Sequence, residues 1–265
     1  MKILSGKELA GFIKERQAHQ VKALSVQPHL LIIRDSDNPV IEKYVNLKIK
    51  YGDDIGVKVT DYLAKDTTDI EQTIKQANED PTIHGIILQL PIKDKSETDR
   101  LTALITPAKD VDGLSGNPNA FDSATATAIH WLLTGYDIEL KHKKIAIVGR
   151  GKLVGAPLAK MWQTSSYDVT IFHRGSDLTN LTDFDIIISA TGQPGLILSS
   201  YVSPGTVLVD AGTASDKGVL KGDLADDLRS RQDLAAITPI LGGVGPLTVT
   251  CLFDHVLTAA VAKQQ

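Results

Sequence analysis

Cysteine is nearly absent from this chain of 265 residues, which contains only Cys251. A single cysteine excludes an intramolecular disulfide and any metal site built from several thiolates. Because Cys251 lies in the apolar run at residues 249–253, we expect a buried structural thiol rather than a nucleophile. The histidines are scattered without ligand spacing, so no metal is expected.

Long hydrophobic runs and an excess of positive charge are also missing. No stretch is long enough to cross a bilayer, and residues 1–7 lack the apolar core of a signal peptide. The 28 basic and 32 acidic residues leave a formal net charge of −4, which gives no general attraction to nucleic acid or to anionic membranes. We therefore expect a cytoplasmic location and neither a nucleic-acid nor a membrane partner.

The regular alternation of apolar strand patterns with helical patterns is the main architectural signal. Predicted strands cover residues 30–33, 56–63, 85–90, 143–148, 167–172, 185–189, 207–210 and 235–237. Predicted helices cover residues 5–18, 39–53, 69–78, 125–133, 157–162 and 247–263. This order predicts an α/β fold in which parallel sheets are connected by right-handed helical crossovers.

The length of the chain suits two lobes, and a polar loop indicates where they divide. Residues 109–123 are rich in Asp, Gly, Ser and Asn. We assign residues 1–124 with 245–265 to a catalytic domain and residues 125–244 to a Rossmann-type dinucleotide-binding domain. Because ligands of open α/β sheets bind beyond the carboxyl ends of the strands, two such lobes are expected to form a cleft between them.

A glycine-rich turn follows the predicted strand at 143–148. Gly149, Gly151 and Gly155 precede a helical pattern, and their spacing is a longer relative of the usual dinucleotide fingerprint. Free N–H groups and the helix dipole at such a turn attract phosphate, while glycine allows close approach of the backbone. The alternative is that the glycines only allow the strand and the helix to pack closely.

The next strand ends in His173 and Arg174, where an NAD site usually has an acidic residue for the ribose 2′-hydroxyl. Arg150 lies in the glycine turn. Because Arg side chains match phosphate oxygens in bidentate fashion, this basic end favours the 2′-phosphate of NADP over NAD. The alternative is that Arg174 simply faces solvent, as most arginines do.

Five polar residues in the first lobe suit catalysis or substrate binding. Tyr44 and Lys48 are four positions apart and share one helix face, although a solvated face would look the same. Lysine acts as a base near neutral pH only where burial or a nearby cation lowers its pKa. Gln89 ends an apolar strand, where it can orient Lys48 or a substrate carbonyl, or simply meet water. Asp110 and Asp112 are either binding residues or ordinary turn residues.

Taken together, five ordered motifs resemble the bifunctional methylenetetrahydrofolate dehydrogenase/methenyltetrahydrofolate cyclohydrolase family. They are Tyr-Val-Asn-Leu-Lys (44–48), His-Gly-Ile-Ile-Leu-Gln-Leu-Pro (84–91), Lys-Asp-Val-Asp-Gly (109–113), Val-Gly-Arg with Val-Gly-Ala-Pro (148–150 and 154–157), and Gly-Gly-Val-Gly-Pro-Leu-Thr (242–248). The resemblance implies an NADP-dependent oxidation of 5,10-methylenetetrahydrofolate to the methenyl compound, followed by hydrolysis to 10-formyltetrahydrofolate.

The same resemblance implies roles for individual residues. Lys48 would assist the attack of water, Gln89 would position Lys48, Tyr44 would orient the substrate, and Asp112 would hold the pterin. The substrate-binding residues would be Tyr44, Asp112, Gly243, Pro246 and Thr248, although Gly-Pro before a helix is also simply a helix start. The cofactor-binding residues would be Gly149, Arg150, Gly151, Val154, Gly155, Pro157, His173, Arg174, Thr191 and Gly192. By analogy with the family we expect a homodimer, for which the apolar strand at 207–209 offers an edge.

Two departures from the family pattern leave alternatives open. The usual Gln-Leu-Pro-Leu-Pro reads Gln-Leu-Pro-Ile-Lys at residues 89–93, and the segment between Gly113 and Thr125 is shorter than usual. A dehydrogenase that has lost the hydrolytic step is therefore one alternative. A second alternative is a dinucleotide-binding sensor without catalytic activity, although retention of Tyr44, Lys48, Gln89 and Asp112 argues against it.

Overall fold

The computed structural model describes residues 1–212, 214–216 and 219–262, and for residues 214–216 and 219–220 it describes the backbone alone. Thr213, Lys217, Gly218 and residues 263–265 lie outside the described residues, including the last positions of the predicted helix 247–263 and of the predicted domain segment 245–265.

The described part of the chain contains an α-helix at each of the predicted positions. They are Gly6–Lys22 (α1), Pro39–Ile55 (α2), Thr67–Glu79 (α3), Thr98–Ala103 (α4), Ala124–Gly135 (α5), Gly155–Thr164 (α6) and Val244–Ala262 (α7). The ends of α2 follow local chemistry, because Asn38 Oδ1 accepts from Val40 N (2.9 Å) and Pro39 occupies the first turn. Only α4 was not predicted.

Strands occupy every predicted position within the same described ranges, together with three short strands that were not predicted. They are Lys2–Ile3 (β1), His29–Arg34 (β2), Lys58–Leu63 (β3), Gly85–Leu88 (β4), Lys144–Val148 (β5), Asp168–Phe172 (β6), Ile186–Ser189 (β7), Val207–Asp210 (β8), Ala214–Asp216 (β9), Val219–Lys221 (β10) and Ala236–Ile237 (β11). Strands β9 and β10 form an antiparallel pair, whereas the other two sheets are parallel, as expected for this α/β fold.

The described residues form two compact units. The three-stranded unit comprises residues 11–124 and 249–262, and its sheet has the order β3-β2-β4. Ile33 lies between Tyr62 and Leu88 in the register of this sheet. Its core is formed by buried aliphatic side chains from the strands and the surrounding helices, namely Leu31, Ile33, Ala64, Ile70, Ile74, Ala77, Ile83, Ile86, Leu88, Ile92, Leu101 and Ile105. The carboxyl ends of β2 and β4 therefore lie side by side.

The six-stranded unit comprises residues 1–10 and 125–248, and its sheet has the order β1-β11-β8-β7-β5-β6. Lys2 pairs with Ala236, and for this reason the first ten residues group with the second lobe instead of with residues 11–124. A two-residue strand without an apolar run carries no sequence signal of its own. The carboxyl ends of β5, β6 and β7 are neighbours in this sheet, which places the segments that follow them along one edge.

The strand at 207–209 does not offer a free edge, so the sequence-based suggestion that it supports dimerisation is wrong. Strand β8 is hydrogen-bonded on one side to β7 and on the other to β11. Both rows of its backbone groups are therefore used within the sheet.

The prediction that no stretch is long enough to cross a bilayer is also wrong, because α7 is long enough. By length and composition alone this 19-residue helix passes that test, with a mean hydropathy of 1.5, but 56% of the tested window is buried inside the protein. Buried core helices of soluble proteins can have the same length and hydropathy, so α7 is weak evidence for a membrane-spanning segment.

Candidate active site

Lys48 and Gln89 meet in the three-stranded unit. Lys48 lies in α2, and its Nζ donates to Gln89 Oε1 at 2.8 Å. Gln89 directly follows β4, and its backbone N–H donates to Ile33 O at 2.8 Å, continuing the ladder between β4 and β2. Its Nε2 donates to Leu90 O at 3.1 Å, so the side-chain oxygen is the atom that faces the lysine. The structure thus places Gln89 Oε1 within hydrogen-bond distance of Lys48 Nζ.

The surroundings of Lys48 favour its neutral form more than water does. The side chain is partly buried, and burial lowers the pKa of Lys48, while the negative charge of Asp112 acts in the opposite direction. A lysine with a lowered pKa supplies a larger fraction of neutral amine at neutral pH. The location is therefore chemically suited to a lysine that accepts a proton.

Asp112 is the carboxylate that interacts with Lys48. Burial raises its pKa to about 6, Lys48 lowers it, and neighbouring Asp110 raises it further. Asp110 itself is buried and accepts hydrogen bonds from three backbone N–H groups, those of Gly113 (3.1 Å), Leu114 (3.2 Å) and Ser115 (2.8 Å). Asp110 therefore stabilises the turn, whereas Asp112 interacts electrostatically with Lys48.

Tyr44 lies one helical turn before Lys48 on α2, with 38% of its surface exposed. Among the described residues, no group forms a hydrogen bond with its hydroxyl. A tyrosine ring and hydroxyl in this position can contact a ligand without first breaking an internal hydrogen bond.

The shortened segment after Gly113 is held by contacts within the three-stranded unit. Phe121 stacks on His255 with ring centroids 4.7 Å apart, and His255 Nδ1 is hydrogen-bonded to Val111 O at 2.8 Å. Ala124 N donates to Asp112 O at 3.2 Å, which ties the end of the segment to the residue that interacts with Lys48. The short segment therefore supports the position of Asp112.

The glycine turn of the six-stranded unit joins β5 to α6. Gly149 has a φ of +112°, and a Cβ there would lie 2.5 Å from Ala190 O. A Cβ on Gly155 would lie 2.0 Å from Gly149 O, so this glycine permits the close contact between helix and turn. Gly151 is different, since a Cβ there would meet no heavy atom within 4 Å. Packing thus explains Gly149 and Gly155, whereas Gly151 lines open space.

The beginning of α6 suits a phosphate. Val154 stands at the N-cap and contributes no side-chain hydrogen bond, and Pro157 lies in the first turn. Uncapped N–H groups at the start of a helix attract anions, and of the first three residues of α6 Gly155 is the one whose N–H is available within the described part of the chain, because Ala156 N is hydrogen-bonded and Pro157 has no N–H. Gly151 O accepts from Ala156 N (3.1 Å), which folds the turn back on the helix.

The basic residues predicted for NADP follow the carboxyl ends of two neighbouring strands. Val148 pairs with Phe172, so Arg150 and Arg174 follow adjacent strand ends. Both arginines are exposed, and neither forms an ion pair with any residue in the described ranges. His173 Nδ1 is hydrogen-bonded to Arg174 O at 3.0 Å, which shapes the turn. The arrangement fits a group that carries a phosphate beyond the ends of β5 and β6.

Thr191 and Gly192 follow β7, on the other side of β5, and their position depends on a residue that the sequence analysis did not single out. Thr191 N donates to Asp223 Oδ2 at 2.7 Å, and Ser189 Oγ donates to the same oxygen at 2.8 Å. Asp223 is buried, and a Cβ on Gly212 would lie 2.1 Å from its carboxylate. Asp223 therefore holds the segment after β7 in place.

A second buried carboxylate, Asp210, supports Asp223. It accepts from the backbone N–H groups of Gly212, Asp223 and Leu224, and Arg229 Nη2 donates to it at 2.7 Å. Burial raises the pKa of Asp210, and these N–H groups and Arg229 oppose that shift. The sequence did contain one signal for it, because Asp210 ends an otherwise apolar strand.

The predicted folate-side residues lie at the start of α7. The helix begins at Val244, so Pro246 lies inside its first turn, and Thr248 Oγ1 donates to Val244 O at 3.4 Å. Gly243 closely contacts α1, since a Cβ on Gly6 would lie 1.9 Å from Gly243 O. These residues therefore form a helix start, and a substrate role for them is compatible with the geometry but is not required by it.

No cluster of three or more His, Cys, Asp or Glu side chains arranged to hold a metal occurs among the described residues. Cys251 is buried in α7, and burial raises the pKa of its thiol. It is a structural thiol, as expected.

Known proteins resemble this chain over nearly its full length. The family descriptions "Tetrahydrofolate dehydrogenase/cyclohydrolase, catalytic domain" and "Tetrahydrofolate dehydrogenase/cyclohydrolase, NAD(P)-binding domain" match residues 4–112 and 123–264. Bifunctional protein FolD of Macrococcus caseolyticus is 34% identical over 280 aligned residues, covering 100% of this chain and 99% of the relative.

Solved structures of dehydrogenase/cyclohydrolase enzymes also resemble this chain. The bifunctional methylenetetrahydrofolate dehydrogenase/cyclohydrolase FolD of Campylobacter jejuni has a TM-score of 0.93 at 30% identity and covers 99% of both chains. The Trypanosoma brucei enzyme, complexed with NADP cofactor and inhibitor, has a TM-score of 0.89 at 28% identity over 99% of this chain and 98% of its own. The resemblance inferred from the sequence is confirmed, and the chain belongs to the tetrahydrofolate dehydrogenase/cyclohydrolase family.

Proposed function

We propose that this chain is an enzyme of one-carbon metabolism that oxidises 5,10-methylenetetrahydrofolate with NADP and hydrolyses the methenyl product to 10-formyltetrahydrofolate. The observation that carries the proposal is the hydrogen bond from Lys48 to Gln89, beside the partly buried carboxyl group of Asp112. Membership of a family described as dehydrogenase and cyclohydrolase supports both activities.

NADP fits the six-stranded unit. The uncapped start of α6, the open space at Gly151 and the basic strand ends at Arg150 and Arg174 together suit phosphate groups, including a 2′-phosphate. When bound, NADP supplies the acceptor for the hydride that leaves the methylene carbon. We assign to its site Gly149, Arg150, Gly151, Val154, Gly155, Pro157, His173, Arg174, Thr191 and Gly192.

The hydrolytic step uses Lys48. Water attacks the methenyl carbon and gives a tetrahedral adduct; the adduct hydroxyl then loses its proton as the bond from that carbon to N5 breaks, N5 takes up a proton, the formyl group stays on N10, and one proton is released overall. Lys48 in its neutral form takes a proton from the attacking water, for which its lowered pKa prepares it. Gln89 is a positioning residue, because its Oε1 accepts a hydrogen bond from the lysine nitrogen, which has no second hydrogen bond to any described residue.

Asp112 and Tyr44 are assigned to the substrate. A carboxylate can pair with the amino and ring N–H groups of the pterin, and Tyr44 offers an exposed ring on the same helix face as Lys48. We further assign Gly243, Pro246 and Thr248 to the substrate side, on the strength of the family motif. We propose the functional division at residues 1–124 with 245–265 and 125–244, although residues 1–10 and 245–248 group with the six-stranded unit by their contacts.

We also propose that the enzyme works in the cytoplasm as a homodimer that binds neither nucleic acid nor membrane. The net charge of −4 supports the absence of a nucleic-acid partner. Sedimentation of the purified chain measures the oligomeric state, and a monomer at micromolar concentration would contradict the dimer.

The test is a spectroscopic assay of the purified chain. We expect 5,10-methylenetetrahydrofolate to reduce NADP faster than NAD, and the enzyme to accelerate decay of methenyltetrahydrofolate above its spontaneous rate. NADP reduction without accelerated decay would leave only the dehydrogenase. Binding of NADP without any turnover would refute the proposal in favour of a sensor.

A further inference from the structure

Asp35 is a buried carboxylate that the proposed mechanism leaves without a role. It directly follows β2 and is only 3% exposed. Both of its oxygens face the backbone N–H of Lys93, which lies 2.9 Å from Oδ2 and 3.2 Å from Oδ1. No other donor to this carboxylate occurs in the described part of the chain. Because a buried carboxylate is costly unless it is hydrogen-bonded, this contact strongly restrains the position of Lys93.

The contact closes a segment that begins with Gln89. Gln89 N donates to Ile33 O at 2.8 Å, and Lys93 N donates to Asp35, so both ends of residues 89–93 are tied to the end of β2. Between them, the Ile92 side chain is buried in the core of the three-stranded unit. The segment is thus fixed at three points, and its first residue accepts the hydrogen bond of Lys48.

Only the backbone of Lys93 takes part, because its side chain is exposed. Proline, which has no N–H, would leave Asp35 buried without a donor. The resembling family usually has proline at this position, so the departure at Lys93 supplies the one group that the buried Asp35 requires. Asp35 and Lys93 therefore depend on each other.

We propose that Asp35 is a positioning residue for the catalytic lysine: through Lys93 N–H it fixes the 89–93 segment and thereby holds Gln89 Oε1 against Lys48 Nζ. The expected effect of Asp35 on hydrolysis rests on the proposed function. The geometric content of the inference, the dependence of the Lys48–Gln89 contact on Asp35, can be measured without turnover.

Lys93→Pro and Lys93→Ala form a matched pair, because both remove the same exposed charge but only the first removes the N–H. We expect Lys93→Pro and Asp35→Ala to lower kcat for methenyl hydrolysis by about tenfold, or about 1.4 kcal/mol, with little change in KM. Lys93→Ala and Asp35→Asn, which keep a donor and an acceptor, should stay within about twofold. The double variant Asp35→Ala with Lys93→Pro should fall no further than either single variant.

The second readout is the titration of Lys48, followed as the pH dependence of its labelling by acetic anhydride and read by mass spectrometry. Without Gln89 Oε1 as acceptor the ammonium form loses a partner, so the pKa of Lys48 should be lower in Lys93→Pro than in wild type and unchanged in Lys93→Ala. Asp35→Asn separates the hydrogen bond from the charge, since it keeps an acceptor but removes the charge.

Equal behaviour of Lys93→Pro and Lys93→Ala in both readouts would overturn the inference. A wild-type chain that does not hydrolyse the methenyl substrate would instead refute the proposed function, and the Lys48 titration would still decide whether Asp35 positions the lysine. If Lys93→Pro does not fold, as judged by circular dichroism, the comparison of Asp35→Ala with Asp35→Asn makes the same decision.

Discussion

Two glycines of the same turn should differ in how much stability the protein loses when one methyl group is added. In Gly155→Ala the new Cβ would lie 2.0 Å from Gly149 O and 2.8 Å from Gly149 C, both backbone atoms that cannot rotate away. In Gly151→Ala the new Cβ would meet no heavy atom within 4 Å. The pair therefore separates packing of the turn from its proposed contact with phosphate.

The expected size of the Gly155→Ala effect follows from these distances. Non-bonded carbon atoms are most stable about 3.5–4.0 Å apart, so α6 and the turn must separate by roughly an ångström. Overpacking of this kind costs about 1–3 kcal/mol of unfolding free energy. A displacement of about 1 Å at a positioned site can cost about 10²-fold in rate, so NADP reduction should fall by about 10- to 100-fold.

Urea unfolding, followed by circular dichroism, and initial rates of NADP reduction provide the assays. Gly151→Ala should keep its unfolding free energy within about 0.5 kcal/mol of wild type and should still raise KM for NADP, because the methyl group occupies space that a phosphate needs. Hydrolysis of the methenyl compound without NADP should continue in both variants. Wild-type stability and wild-type NADP kinetics in Gly155→Ala would refute the reasoning.

Three further predictions concern charge. Arg174→Asp should raise KM for NADP much more than KM for NAD, and an equal effect in steady-state kinetics would contradict the 2′-phosphate assignment. Because the pKa of Asp112 is about 6, KM for the folate substrate should rise as the pH falls below 6, and Asp112→Asn should remove that dependence. Burial lowers the pKa of His29, so the unfolded chain binds more protons than the folded chain below about pH 6.5. The free energy of unfolding measured in urea should therefore decline below that pH. The same pH dependence in wild type and in His29→Gln would contradict this prediction.

Much of the fold follows from local patterns in the sequence. The strands of both parallel sheets are apolar runs bounded by turns, and helix α2 begins at an Asn-Pro pair and ends at a left-handed glycine. The position of β1 could not be predicted, since Lys2–Ile3 becomes a strand only through pairing with β11 more than 230 residues away. Strand β8 lies inside the sheet because β11 pairs along one side of it and β7 along the other, which its apolar run alone does not reveal.

In the candidate site, too, some features follow from local sequence patterns and others depend on contacts between distant residues. Gly149 and Gly155 were predictable because adjacent residues define the turn, whereas helical spacing predicted only that Tyr44 and Lys48 share one face of α2. Asp35 and Asp223 were not, because each acts through backbone N–H groups that are distant in the sequence. Any residue other than proline has a backbone N–H, so the sequence does not reveal which residue donates to a buried carboxylate.

The most direct test of the central claim, that Lys48 carries the hydrolytic step, is the rate of methenyltetrahydrofolate decay with Lys48→Met beside wild type at neutral pH. Circular dichroism should show that the variant is folded. We predict that wild type accelerates the decay and that Lys48→Met leaves it at the spontaneous rate. A variant that hydrolyses the substrate as fast as wild type would contradict the account.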